Sequence, residues 1–142
     1  RAEVAEILGM NRDHTVAVLG AGNLGQALME NFPFSYNGFR LVAAFDVDPG
    51  LVGSQLSGTP VYHVDTLEDY IKENPVSVCV LTVPGGEAVR IARRVAACGV
   101  TGIWNFTNVE LPQQEMPDVR VEDVHFADSL LTLSYMISEE TP

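Results

Sequence analysis

The sequence predicts an α/β fold, a doubly wound and mostly parallel sheet of Rossmann-like type. Three observations carry that expectation. Short apolar β-type runs alternate with amphipathic helical ones along most of the 142 residues. One run, Val76 to Val83, is almost wholly apolar, as a parallel strand covered on both faces must be. The first strand also breaks into Gly20-Ala21-Gly22-Asn23-Leu24-Gly25 and reopens directly as a helix.

The elements follow in order. Ala2 to Leu8 is helical and closes at Gly9, and a chain that starts on Arg1 within a helix reads as a piece whose N-terminal part has been removed. Thr15 to Leu19 is the first strand and Asn23 to Glu30 the helix opening from the glycine turn. Phe39 to Phe45 is a second buried strand and Val61 to His63 a third. A helix from Thr66 to about Glu73 has Asp65 at its N-cap and Glu68 three residues later, a capping-box arrangement. After the strand Val76 to Val83, Glu87 to Cys98 places Val89, Ala92, Val95 and Ala96 at core-facing spacing, with Gly99 just past its end. Thr101 to Phe106 and Val119 to Val124 are the fifth and sixth strands. Leu111 to Pro117, with two prolines and two glutamines, is a loop. Phe126 to Ile137 is a last helix, with Leu130, Leu131, Leu133, Met136 and Ile137 spread over more than one face. A helix apolar on two sides needs a second surface, which an obligate dimer supplies.

Composition excludes several classes of function. Nineteen acidic residues oppose eight basic ones, for a net charge of −11, and Lys72 is the only lysine. Such a surface repels phosphate backbones, so this stretch by itself is not a nucleic-acid binder. No run is long enough to span a bilayer and no signal peptide is evident, which points to the cytoplasm and away from membranes. Cys79 and Cys98 read as buried thiols, neither a disulfide framework nor a metal site.

The glycine turn fits G-x-G-x-x-G in its proper context of strand, turn and helix. Gly20 permits the tight turn, Gly22 lacks the Cβ that would block a pyrophosphate, and Gly25 lets helix and strand pack closely. The amides and positive dipole end of the helix then face the phosphates. Asp46, 21 residues beyond Gly25 at the end of the second strand, can accept from both hydroxyls of an adenosine ribose. It would repel a 2′-phosphate, and no arginine follows it closely, which favours NAD(H) over NADP(H). The alternative is that Asp46 only starts the Asp48-Pro49-Gly50 turn. Leu81-Thr82-Val83-Pro84-Gly85-Gly86 resembles a second cofactor wall, with its glycines letting backbone approach a ligand; a plain βα turn is the competing reading.

Catalytic machinery is not evident. A dehydrogenase needs a proton donor or acceptor beside the nicotinamide. His14 precedes the first strand at the wrong sheet edge, and His63 closes the third strand. His125 closes the sixth strand on the ligand-binding edge, as a candidate acid or as an interface or capping residue. Lys72 lies on an amphipathic helix as a solvated charge. Where many dehydrogenases carry a Lys-Pro pair after the fifth strand, this chain has Trp104-Asn105-Phe106-Thr107-Asn108. G-x-S-x-G and His-rich metal spacings are absent.

The order of motifs is more specific. It runs Ile7-Leu8-Gly9-Met10-Asn11-Arg12, then Val18-Leu19-Gly20-Ala21-Gly22-Asn23-Leu24-Gly25, then Phe45-Asp46-Val47-Asp48-Pro49. Leu81-Thr82-Val83-Pro84, Gly102-Ile103-Trp104-Asn105-Phe106 and Leu133-Ser134-Tyr135 follow. Over nearly the whole chain this resembles the C-terminal NAD(H)-binding domain of the Rex redox-sensing transcriptional repressors.

The resemblance implies a homodimeric regulator, not an enzyme, that reads the NADH/NAD⁺ ratio, with NADH binding releasing operator DNA. Residues 1–14 would end a linker helix from a winged-helix domain absent here, which alone would touch DNA. Residues 15–125 would form the Rossmann-like domain and 126–142 a dimerisation helix and tail, swapped across the dimer. By the same resemblance, Gly20, Gly22, Asn23, Leu24 and Gly25 would hold the pyrophosphate and Asp46 the adenosine ribose, with Ala21 and Val47 also among the cofactor-binding residues. Thr82, Val83 and Pro84 would lie along the dinucleotide, Asn105 and Phe106 would border the nicotinamide, and Phe126 would reach the partner's nicotinamide pocket. The chain departs from the family pattern at Gly85-Gly86, Thr107-Asn108 and His125, all toward the nicotinamide end. Altered redox discrimination or coupling is the consequence expected there. Two alternatives stay open: the cofactor domain of an NAD-dependent oxidoreductase, and a CoA-binding domain. The missing Lys-Pro weighs against the first. Asp46, unfavourable to the 3′-phosphate of CoA, weighs against the second.

Overall fold

The fold is that of a computed structural model, which describes residues 14–125 together with Met136 and Ile137. Seven strands form one sheet in the order β3-β4-β2-β1-β5-β6-β7. They are β1 (His14–Leu19), β2 (Phe39–Asp46), β3 (Gln55–Leu56), β4 (Thr59–His63), β5 (Val78–Leu81), β6 (Gly102–Asn105) and β7 (Arg120–Asp123). Three helices are interleaved: α1 (Asn23–Asn31), α2 (Leu67–Glu73) and α3 (Gly85–Ala97). Every neighbouring pair is parallel except β3 with β4. The expected doubly wound, mostly parallel α/β fold is therefore what the chain adopts.

Alternation along the strands divides the core between two faces. Leu19, Phe45, Cys79 and Leu81 join Ile91, Ala92 and Val95 of α3 and Leu67 and Ile71 of α2 on one face. Val16, Val18, Ala44 and Val80 join Met29 of α1 on the other. Phe45, Leu19 and Leu81 are wholly buried, each worth roughly 1.5–3 kcal/mol of transfer free energy. In α3 the buried set Ala88, Ile91, Ala92 and Val95 recurs at i, i+3, i+4 and i+7, and Gly99, at φ +86°, ends the helix in the left-handed region.

Three local expectations are corrected, and the 111–117 loop gains detail. The third strand starts at Thr59, and an antiparallel partner, β3, precedes it. Ser57 and Gly58 both have positive φ, as a two-residue hairpin turn whose twist matches its strands requires. Asp65 is not an N-cap. Val64–Thr66 is a 3-10 turn capped by His63, whose Nδ1 accepts the Asp65 amide at 3.0 Å, and α2 begins only at Leu67. Gly85 and Gly86 are the first turn of α3, which opens two residues earlier than expected. Finally, the 111–117 loop is anchored, since Leu111 and Met116 are buried and Gln113–Glu115 make a 3-10 turn. The helical reading of residues 2–8 lies outside the described residues, and so does most of the Phe126 to Ile137 helix with its proposed swap; Met136 and Ile137 are helical and exposed.

Candidate functional site

The strand register brings the C-terminal ends of β2, β1, β5 and β6 into one line: Phe45 faces Leu19, Leu19 faces Leu81, and Leu81 faces Asn105. The chain winds one way from β1 to β2 and β4 and the other way to β5, β6 and β7, so the crevice beyond β1 is the topological switch point where open α/β sheets take ligands.

The three glycines of the turn between β1 and α1 play separate parts. Gly20 has φ +103°, and a Cβ there would lie 2.8 Å from the Thr82 carbonyl carbon and oxygen. A Cβ on Gly25 would run into the Gly20 carbonyl oxygen. These two let the turn, the helix and the β5 end approach one another. A Cβ on Gly22 would meet nothing within 4 Å, so that position opens outward onto free space at the start of α1. The first intrahelical bond runs from the Gln26 amide to the Gly22 carbonyl at 2.8 Å, which leaves the preceding amides of Asn23, Leu24 and Gly25 without intrahelical acceptors. That cradle fits a diphosphate.

Asp46 is half-buried beside it. Its Oδ2 accepts the Ala21 amide at 2.6 Å, and its Oδ1 accepts the amides of Val47 at 2.7 Å and Asp48 at 2.9 Å. The carboxylate thus ties the β2 tip to the glycine turn. A carboxylate offers about four acceptor positions and three are used. Ala21 contributes structure only, with its methyl fully buried and its amide spent on Asp46. Val47 projects from the β2 tip at 64% exposure.

Thr82 points back into the protein. Its hydroxyl lies 2.6 Å from the Gly20 carbonyl oxygen and 3.0 Å from that of Leu19, so it braces the turn from behind. Val83 and Pro84 do line the crevice, with Gly20, Asp46, Val47 and Val64 on one side and Glu87, Arg90 and Ile91 of α3 on the other, around about 330 Å³. Arg90 pairs with Glu87 one helical turn earlier. The sequence reading missed both, because they come 44 and 41 residues after Asp46 and only the crossover brings them back. Their signal was present: the i, i+3 pair lies in the helix that Pro84 opens.

Asn105 is spent internally. It is 1% exposed, donates to the Val109 carbonyl at 2.9 Å and to Asp123 Oδ1 at 2.8 Å, and accepts from the Thr107 amide and hydroxyl. It holds the loop 106–109 in shape, and Asn108 closes that loop at φ +61°, a conformation asparagine tolerates better than most residues. Phe106 is half-buried, its ring 4.7 Å from Trp104. Phe126 lies outside the described residues.

The histidines fall where the strands put them. His14 packs against Phe39 at the N-terminal ends of β1 and β2, away from the crevice, His63 caps the 3-10 turn, and His125 borders a small polar hollow with Asp123, Glu110 and Asn108. Among the described residues no group of three or more His, Cys, Asp and Glu is placed to hold a metal ion, and no helix is long and apolar enough to cross a membrane. Cys79 and Cys98 are free thiols whose pKa values burial pushes up, Cys79 far above its ordinary range. A larger cavity, about 480 Å³, lies on the opposite sheet face between Phe32, Phe34, Phe39, Val78, Val80 and Trp104. It is almost entirely apolar and away from the glycine turn.

Residues 11–109 match the CoA binding domain family. The chain belongs to that family. Redox-sensing transcriptional repressors are among its relatives. It is 43% identical over 137 residues to the redox-sensing transcriptional repressor Rex of Caldicellulosiruptor saccharolyticus, covering 96% of this chain and 62% of that one. It superposes on RSP, a Rex-family repressor, in complex with β-NADH at TM-score 0.86 and 37% identity, covering 98% of this chain and 66% of RSP. On RSP in complex with β-NAD⁺ and operator DNA the TM-score is 0.84, at 36% identity over 98% of this chain and 63% of RSP. The resemblance to the Rex repressors read from the motifs is borne out. The chain spans less than two thirds of the length of these relatives.

Proposed function

We propose that this chain is the NAD(H)-binding, dimerising sensor of a Rex-type redox-responsive transcriptional repressor. The observation that carries the reading is the open cradle over Gly22, set beside the Asp46 carboxylate at the switch point of the sheet. Gly20, Gly22, Asn23, Leu24 and Gly25 receive the pyrophosphate. Asp46 uses its remaining acceptor capacity on the adenosine ribose, against which Val47 packs. Val83 and Pro84 run along the dinucleotide, braced by Thr82. Phe106, on the loop shaped by Asn105, borders the nicotinamide, and Phe126 of a second copy closes that end. Redox chemistry belongs to the dinucleotide; the chain binds and orients it, and no catalysis is assigned.

Homodimerisation uses the apolar cavity over β5 and β6 together with the C-terminal helix. A net charge of −11 leaves operator DNA to a winged-helix domain outside residues 1–142, in a cytoplasmic repressor that lets go of DNA when NADH binds. The longer relatives, one of them solved with operator DNA, support this division. Isothermal titration with NADH, NAD⁺, NADPH and CoA tests the reading. NADH should bind at least tenfold more tightly than NAD⁺, and NADPH weakly because of Asp46. Equal NADH and NAD⁺ affinities would defeat the sensor, and tight binding of CoA alone would restore the ligand named by the family.

A further inference from the structure

We propose that Arg90, held by Glu87, is a planar lid over the purine of the bound nucleotide and sets the affinity of the adenosine half. This rests on the reading of the crevice as a dinucleotide site. The crevice beyond Asp46 is walled by Val47, Val64, Val83, Pro84 and Ile91, an apolar slot suited to a flat heterocycle and not to a phosphate. Arg90 is the only cation among its described lining residues. Its guanidinium is tethered by Glu87 on the same helix, while 60% of its side chain stays in solvent. An exposed i, i+3 pair of this kind adds little to stability, so its place at the mouth is not needed for folding. A guanidinium is planar, weakly hydrated and stacks on aromatic faces, whereas an ammonium is a compact, strongly hydrated charge. Glu87 keeps that plane at the rim and offsets its charge, so the slot gains a stacking surface without becoming a phosphate trap.

Arg90→Ala, Arg90→Lys and Glu87→Gln in the 142-residue chain, titrated with NADH and ADP-ribose at low and high salt, test this. Arg90→Ala should weaken both ligands by about five- to twentyfold, the range of a desolvated cation–π contact. Arg90→Lys should recover little of that loss, and the loss should persist in high salt. Glu87→Gln, which loosens the tether, should cost about two- to threefold. Recovery by lysine, or a loss that disappears in high salt, would identify a phosphate contact and overturn the lid. Unchanged ADP-ribose affinity in Arg90→Ala would also overturn it while leaving the NAD(H) reading intact. Failure of the unmodified chain to bind NADH or ADP-ribose would sink both.

Discussion

Gly22 and Gly25 stand three residues apart in one turn and lack a side chain for opposite reasons. At Gly25 the missing Cβ is occupied by protein, the Gly20 carbonyl oxygen, whereas at Gly22 it is replaced by open space. Gly25→Ala should therefore lower the melting temperature, because backbone must shift to admit the methyl, and should reduce NADH binding with it. Gly22 has φ −79°, which alanine adopts freely, so Gly22→Ala should leave thermal unfolding within about 0.5 kcal/mol. Its methyl would still occupy the cradle, so NADH affinity should fall at least tenfold. Calorimetric melting and titration of the two variants separate the roles, and a Gly22→Ala protein that binds normally would remove the diphosphate from this turn. Both glycines and Asp46 were legible in the sequence because their spacing is local to one strand–turn–helix–strand unit. Thr82 and Asn105 were legible as positions but not as roles. Their side chains turn inward to bind backbone from β1 and from the 106–109 loop, and one-dimensional spacing does not encode that direction.

Between elements, the tie that locks α3 to the first turn of α2 is ionic. Arg94 donates through Nε and NH2 to both Glu68 oxygens at 2.6 and 2.7 Å, and to the Val64 carbonyl at 2.8 Å. The hydrogen bonds from Arg94 hold the Glu68 carboxyl below its usual pKa, against a smaller opposing effect of burial. A folded-state pKa below the unfolded one adds stability that is present above the ordinary carboxylate value and lost as pH falls through the depressed one. With Glu68 about half exposed, solvent screening limits the contribution to about 0.5 kcal/mol. Urea unfolding of Glu68→Gln should thus lie below the unmodified chain at pH 7 and converge with it toward pH 3; a gap that persists at pH 3 would show that the link is not electrostatic. Element identity was legible wherever periodicity ran long, as in α3 and β2. It failed at β3, where Gln55 and Leu56 are too few to show a period, and where Pro60 masks the strand behind a turn-like Thr-Pro pair. It failed at Asp65 because a competing cap, the His63 imidazole, takes that residue's own amide.

Across the whole molecule the two cavities face apart: the polar-rimmed crevice opens at the strand ends beside α3, and the apolar one lies across the sheet beside α1. The two share no lining residue, so a substitution in the wall of one leaves the wall of the other in place. Each copy carries −11, so two copies repel. The screening length shrinks from about 30 Å at 0.01 M salt to about 10 Å at 0.1 M. If Phe32, Phe39 and Trp104, the partly buried walls of that cavity, join two copies through apolar burial, dimerisation should strengthen as salt rises from about 0.02 to 0.2 M, because repulsion is screened while burial is not weakened. An interface held by complementary charges would weaken over the same range. Sedimentation equilibrium at three salt concentrations distinguishes them. The same acidity predicts that these residues alone leave duplex DNA unbound at every one of those concentrations, since nineteen acidic residues outweigh the eight basic ones that could release counterions. Dimerisation that weakens with salt would move the interface off the apolar cavity and onto paired charges elsewhere on the surface.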